Sequence, residues 1–174
     1  MTWFDAFLRT LKDNEVRLVA YVPDNLLAPL IEEVTADNYF VPVGATREDE
    51  AVGTATGAYL AGMRSAVMMQ TSGFALIANA LASLVVPYQI PAILVISERG
   101  TLGEFNIGQT LVARAMRPTL DALGIVHHTL TDETTLRFIL DSSIKQAFTT
   151  QAPVAFILSP LLTGGNPAAH AQLM

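Results

Sequence analysis

The sequence predicts an α/β fold, an open parallel sheet of six strands with helices on both faces. Three observations carry that expectation. Short runs of Val, Ile, Leu and Ala alternate with longer stretches of helical periodicity. The apolar runs are nearly continuous, the pattern of strands covered on both faces. Strand and helix signals follow one another in regular order, and right-handed crossovers turn that order into one parallel sheet.

Each element has its own reason. Residues 3–13 read as a helix, because Phe4, Phe7, Leu8 and Leu11 fall at i, i+3, i+4 and i+7. Residues 17–22 read as a strand that ends at the turn signal Pro23-Asp24-Asn25. A helix over 26–36 leads to a strand over 39–43. A helix over 46–62 leads to a strand over 66–70. Gly73 reads as a breaker before a helix over 76–86, and residues 92–97 form the fourth strand. A loop with Gly100, Gly103 and Gly108 precedes a helix over 109–123 and a strand over 125–130. A helix over 132–148 and a strand over 154–158 complete the sheet. Residues 1–162 are expected to form a single domain, with residues 163–174, rich in Gly, Pro and Ala, as a flexible tail.

Composition narrows the function. The chain has 174 residues, of which 51% are hydrophobic and 15% charged. An average globular domain carries about 25% charged residues. So few charges on a small domain point to surface hidden against partner chains. Net charge is −6, with only ten Lys and Arg spread along the chain, which argues against nucleic-acid binding. Cysteine is absent, which excludes disulfides, thiolate metal sites and a cysteine nucleophile. No apolar run reaches the roughly 18 residues of a membrane span. The first residues lack the basic start of a signal peptide. A soluble, cytoplasmic protein is expected.

Ligands of open parallel sheets sit beyond the carboxyl ends of strands, which directs attention to residues 23–25, 44–50, 70–79 and 97–109. Thr46, Glu48, Asp49 and Glu50 open a helix. They read either as helix-start chemistry, with Thr46 capping and Asp49 completing a capping box, or as a carboxylate facing the ligand crevice. Periodicity alone does not say which carboxylate that is. Gly53 and Gly57 make the helix smooth, and each costs about 1 kcal/mol relative to Ala. Close packing, on the sheet or on a second subunit, is the expected compensation. Gln70, Thr71 and Ser72 end a buried strand, either as a plain turn or as ligand-facing groups. The loop holding Arg99 and Glu104 reads equally as a lid or as an anion clamp. Neither G-x-G-x-x-G, a Walker loop nor a G-x-S-x-G elbow is present. His127 and His128 are adjacent on a strand and point to opposite faces, so a shared metal is not expected. His170 falls in the tail.

Three strings together carry a resemblance. Arg47-Glu-Asp-Glu-Ala-Val-Gly-Thr-Ala-Thr-Gly-Ala-Tyr-Leu-Ala-Gly62 resembles the glutamate-bearing helix of thiamine-diphosphate enzymes. Met69-Gln-Thr-Ser-Gly-Phe-Ala-Leu-Ile-Ala-Asn-Ala-Leu81 is similar to their following Ser-Gly loop. The string from Ile96 to Gln109 resembles the corresponding loop of sulfopyruvate decarboxylase alpha subunits and, less closely, of phosphonopyruvate decarboxylases. The likeness spans about residues 21–130.

The resemblance implies a pyrimidine-binding (PYR) domain of Rossmann-like type. It also implies a separate diphosphate-binding (PP) subunit, the beta chain, whose Gly-Asp-Gly…Asn-Asn motif holds Mg2+ and the diphosphate. This chain has no Gly-Asp-Gly, so the family pattern assigns it no metal and places it in a hetero-oligomer. Aligning the Gly57 segment places the family glutamate on Glu48, as catalytic and cofactor-binding residue, with Gly73 and Asn79 as further cofactor contacts. In the family this carboxylate hydrogen-bonds N1′ of the aminopyrimidine and favours the imino form, which takes the thiazolium C2 proton. Gln70, Ser72 and Arg99 become the candidates for a small 2-oxo-acid substrate, with Arg47 a second cation; a surface ion pair is the alternative for each of the two cations. The implied activity is decarboxylation of a 2-oxo acid such as 3-sulfopyruvate. One departure stands out, because the family's Leu-Gly-Asn after Ser-Gly is here Phe74-Ala75-Leu76, which leaves room for phosphonopyruvate or a less polar substrate. A non-catalytic module on the same fold is the alternative of a different class.

Overall fold

The computed structural model describes residues 2–165, and the expected flexible tail over 163–174, with His170, lies largely outside them. Six parallel strands form one open sheet: β1 (Leu18–Tyr21), β2 (Val41–Gly44), β3 (Ser65–Gln70), β4 (Ile93–Ser97), β5 (Val126–Leu130) and β6 (Val154–Leu158). Their spatial order is β2-β1-β3-β4-β6-β5. Helices α1 (Trp3–Asp13), α2 (Ala28–Ala36) and α3 (Glu48–Leu60) precede the helical run after β3. That run comprises α4 (Thr71–Leu76), α5 (Ala78–Ala80) and a π-helical turn, Leu81–Val85. Helices α6 (Ile107–Ala122), α7 (Leu136–Thr150) and the short α8 (Pro160–Thr163) complete the described chain.

The strands sort their side chains by parity. On β3, Ala66 and Met68 join the core beneath α1, α2 and α7, whereas Val67 and Met69 join the core beneath α3, α4 and α6. Strands β4 and β6 repeat the alternation with Ile93 and Val95 against Leu94 and Ile96, and Val154 and Phe156 against Ala155 and Ile157. Both faces are therefore apolar, which is why the runs read as continuous in sequence. Each large side chain buried this way contributes about 1.5–3 kcal/mol. Phe7 meets Phe156 edge to face at 6.2 Å and pins α1 to β6, the strand beside the β5 edge. No helix among the described residues is long and apolar enough to cross a membrane.

Several local expectations are corrected. The helix after β3 starts at Thr71 rather than at residue 76, and Gly73 lies inside it instead of breaking it. Helix α3 starts at Glu48, with Arg47 as its N-cap residue and no side-chain cap. The expected capping box at Thr46 is absent, because the Thr46 N–H donates to Glu50 Oε2 at 3.0 Å and Asp49 is taken by Arg47. Helix α7 begins at Leu136, four residues later than read, because Asp132 Oδ1 accepts the N–H groups of Thr134 and Thr135 and holds a turn there. Gly53 and Gly57 do not pack within the chain; both are exposed, and a Cβ on either would meet nothing within 4 Å. It is the other face of α3, with Ala51, Val52 and Ala55, that lies on the sheet.

Candidate functional site

Strand β1 lies between β2 and β3, so the chain leaves it first to one side and later continues on the other. In open parallel sheets, such a reversal opens a crevice beyond the carboxyl ends. The turn after β1, the start of α3, the end of β3 and the loop after β4 converge on this edge.

Glu48 occupies the first position of α3 and is half-buried. Its side chain lies directly on Gly73 of α4. A Cβ built on Gly73 would sit 2.5 Å from both Cδ and Cγ of Glu48 and closer still to Oε1. Glycine at 73 is therefore what lets the carboxylate occupy this position. The Glu48 carboxylate accepts no hydrogen bond from any described residue. The next two carboxylates are engaged: Asp49 accepts a fork from Arg47 at 3.1 and 3.2 Å, and Glu50 accepts the Thr46 N–H. The bond to Arg47 holds the Asp49 carboxyl below its ordinary range.

A hydrogen-bonded network ties the strand ends together. Asp24 Oδ2 accepts the Leu26 N–H and the Ser97 hydroxyl, both at 2.9 Å, joining the β1 turn to β4. Thr71 Oγ1 donates to the Ser97 carbonyl at 3.1 Å and accepts the Arg99 N–H at 2.9 Å, joining α4 to the same strand end. Gln109 Nε2 approaches Gln70 Oε1 at 3.5 Å, while Gln109 Oε1 is buried with no partner. Asp24 and Thr71 lie in the strand-end segments that the sequence singles out, but their bonds to Ser97 and Arg99 join residues far apart in the chain and leave no local signal.

The remaining candidates divide. Gln70 and Ser72 stand half-buried at the end of β3 and the first turn of α4, beside Gly73. Asn79 is exposed on α5, and its carbonyl accepts the Ser83 hydroxyl at 2.7 Å. Arg99 is bound by Glu104, with Nε to Oε2 at 2.7 Å and Nη2 to Oε1 at 3.2 Å. Phe74 is a fully buried core residue rather than a crevice residue, so its departure from the family string repacks the core. Leu76 is 42% exposed. His127 pairs with Asp121 at 3.0 Å, whereas His128 meets Ser143 Oγ at 2.9 Å and stacks on Phe156, and burial pushes its pKa down. Among the described residues no group of three or more His, Asp or Glu is clustered to hold a metal.

A thiamine diphosphate pyrimidine fits these residues. The carboxylate is free to accept or donate at a ring nitrogen, the facing position carries no side chain, and apolar Ala51 and Val52 follow it on the helix.

Comparison with known proteins shows the family of the chain. Residues 1–105 match the family described as thiamine pyrophosphate enzyme, N-terminal TPP binding domain. The sulfopyruvate decarboxylase alpha subunit of Methanocaldococcus jannaschii is 39% identical over 120 residues, 69% of this chain and 71% of that one. The alpha subunit of the same name from Methanococcus maripaludis is 32% identical over 158 residues, covering 90% and 94% of the two chains. A phosphonopyruvate decarboxylase of Streptomyces viridochromogenes is 39% identical over 89 residues, 51% of this chain but 22% of its own. A 2-oxoglutarate:ferredoxin oxidoreductase from Magnetococcus marinus superposes with a TM-score of 0.71 over 94% of this chain at 16% identity, a likeness of fold alone. The chain belongs to the thiamine pyrophosphate enzymes and carries their N-terminal TPP binding domain.

Proposed function

We propose that this chain is the PYR (alpha) subunit of a two-chain thiamine-diphosphate-dependent 2-oxo-acid decarboxylase acting on 3-sulfopyruvate. The observation that carries the reading is the Glu48 carboxylate, which accepts no hydrogen bond from the described residues, seated on Gly73 at the carboxyl edge of the sheet. Relatives named sulfopyruvate decarboxylase subunit alpha support the substrate. Their name also supports a partner chain, which on this reading is a beta subunit with Gly-Asp-Gly…Asn-Asn that holds Mg2+ and the diphosphate. The outward Gly53 and Gly57, followed by Leu60 at 73% exposed, fit a surface that a partner covers.

The residues then divide the work. Bound thiamine diphosphate supplies the nucleophilic carbon and the electron sink that decarboxylation of a 2-oxo acid requires. Glu48 holds or exchanges a proton at N1′ of the aminopyrimidine. Gly73 leaves the carboxylate its place. Gln70 and Ser72 orient the substrate from the end of β3. Apolar Ala51 and Val52 limit water on the sheet side of Glu48.

The test is reconstitution. The chain is mixed with the Gly-Asp-Gly subunit, thiamine diphosphate and Mg2+, and CO2 release is measured from 3-sulfopyruvate, phosphonopyruvate and pyruvate. Activity that needs both chains and favours 3-sulfopyruvate is expected. A preference for phosphonopyruvate moves the substrate to the second family. No turnover together with no cofactor-dependent heat in calorimetry makes the chain a non-catalytic module.

A further inference from the structure

The cations at the carboxyl edge are already committed. Arg47 is forked on Asp49, and Arg117 spans Glu98 at 2.6 Å and Thr129 at 2.8 Å. Arg99 and Glu104 face each other with side chains 14% and 5% exposed. Glu104 does more than neutralise Arg99. Its Oε2 also accepts the Gly100 N–H at 3.1 Å, and its Oε1 accepts the N–H groups of Phe105 at 3.1 Å and Asn106 at 3.0 Å. Five donors thus converge on one carboxylate. Gly100 and Gly103, at φ of 83° and 73°, let the chain wrap around it. The Arg99 N–H is fixed in turn to Thr71, next to the candidates Gln70 and Ser72.

An anionic substrate that sought Arg99 has to displace this carboxylate. Glu104 is tethered five residues away, so its effective concentration lies at or above the millimolar range, and it brings five ready-made hydrogen bonds. A dissolved 2-oxo acid at ordinary concentrations loses that competition.

We propose that Glu104 is a positioning residue that sets charge specificity: it clamps residues 99–106 against the end of β3 and withdraws the Arg99 charge from substrate recognition. The second negative charge of a dianionic 2-oxo acid therefore gains nothing from Arg99. The kinetic part of this inference rests on the decarboxylase reading above; the structural part does not.

Hydrogen exchange on the full chain tests the clamp. In Glu104→Gln, amides of residues 100–106 should exchange at least about tenfold faster, the loss expected for charge-assisted bonds, while β3 and β4 keep their protection. Arg99→Lys, which keeps the charge but loses the fork, should loosen the same amides. Unchanged exchange in both variants overturns the clamp, and loss of protection across the sheet in both makes the pair a general fold determinant and overturns it too. In the reconstituted enzyme, Glu104→Gln should raise kcat/KM for 3-sulfopyruvate relative to pyruvate several-fold, and Arg99→Met combined with Glu104→Gln should return the ratio to the wild-type value. A ratio that stays flat or falls in Glu104→Gln overturns the specificity role. If the wild-type complex has no activity, the decarboxylase reading fails, and exchange alone decides the clamp.

Discussion

Gly73→Ala separates the position of Glu48 from the fold that carries it. The new methyl carbon would lie 2.5 Å from Glu48 Cδ and Cγ, where ordinary contact begins at 3.4 Å. The carboxylate must therefore retreat by about 1 Å, and as the free end of a flexible side chain it can do so without moving α3. The backbone of α4 is helical at residue 73, so alanine brings a propensity gain of about 1 kcal/mol that offsets local crowding. A folded protein with a Tm within about 3 °C of wild type is expected, since 1 kcal/mol shifts a domain of this size by about 2–4 °C. Misplacing a reacting group by 1 Å costs about 10²-fold in rate. The assay is CO2 release by the reconstituted two-chain enzyme, paired with thermal melting of the same preparation. A melting point near wild type with a rate within about threefold of wild type would refute the reasoning, because the carboxylate would then have no required place.

Other substitutions report on separate parts of the edge. Gly100→Ala should destabilise by about 2 kcal/mol and lower Tm by about 6 °C, because φ is +83° and the new Cβ would lie 2.6 Å from the Gln109 carbonyl carbon; melting curves check it. Glu104, drawn from the ordinary 4.5 down to about 2 chiefly by the Arg99 hydrogen bonds, makes loop protection constant above pH 4.5 and progressively weaker as pH falls toward 2, which hydrogen exchange against pH reads directly. Burial lowers the His128 pKa from 6.5, so the folded state resists protonation and loses stability as pH falls below 6.5; His128→Gln should flatten that decline in denaturant midpoints measured against pH.

The architecture was legible because its signal is local. Apolar runs such as Ile93-Leu94-Val95-Ile96 and Val154-Ala155-Phe156-Ile157, short and bounded by Pro91 and Pro153, read as strands covered on both sides, and they are buried alternately against two helix layers. The error at α4 has the opposite origin. Gly73 reads as a breaker because glycine is a poor helix former. Its actual constraint is the side chain of Glu48, 25 positions earlier, and no propensity scale contains that contact. Thr46 misled in the same way, since the helix start is decided by where Glu50 reaches rather than by which residue can cap. Arg99 was legible as a substrate cation or as half of an ion pair; the pair with Glu104 forms across a loop shaped by glycines at positive φ, which local sequence signals do not weigh. Of the three departures from the family string, Leu76, which stands where the family has an amide, is 42% exposed, whereas Phe74 is buried. Helical phase turns Phe74 into the core and leaves Leu76 outward.

The central claim is that Glu48 governs a proton on the cofactor. The direct measurement is deuterium exchange at C2–H of thiamine diphosphate bound to the reconstituted two-chain enzyme, followed by NMR after rapid quench. The account predicts that Glu48→Gln slows this exchange at least about 10²-fold while the cofactor stays bound, in line with the loss of a positioned acid–base group. Exchange in Glu48→Gln as fast as in wild type, with equal cofactor occupancy, would contradict it.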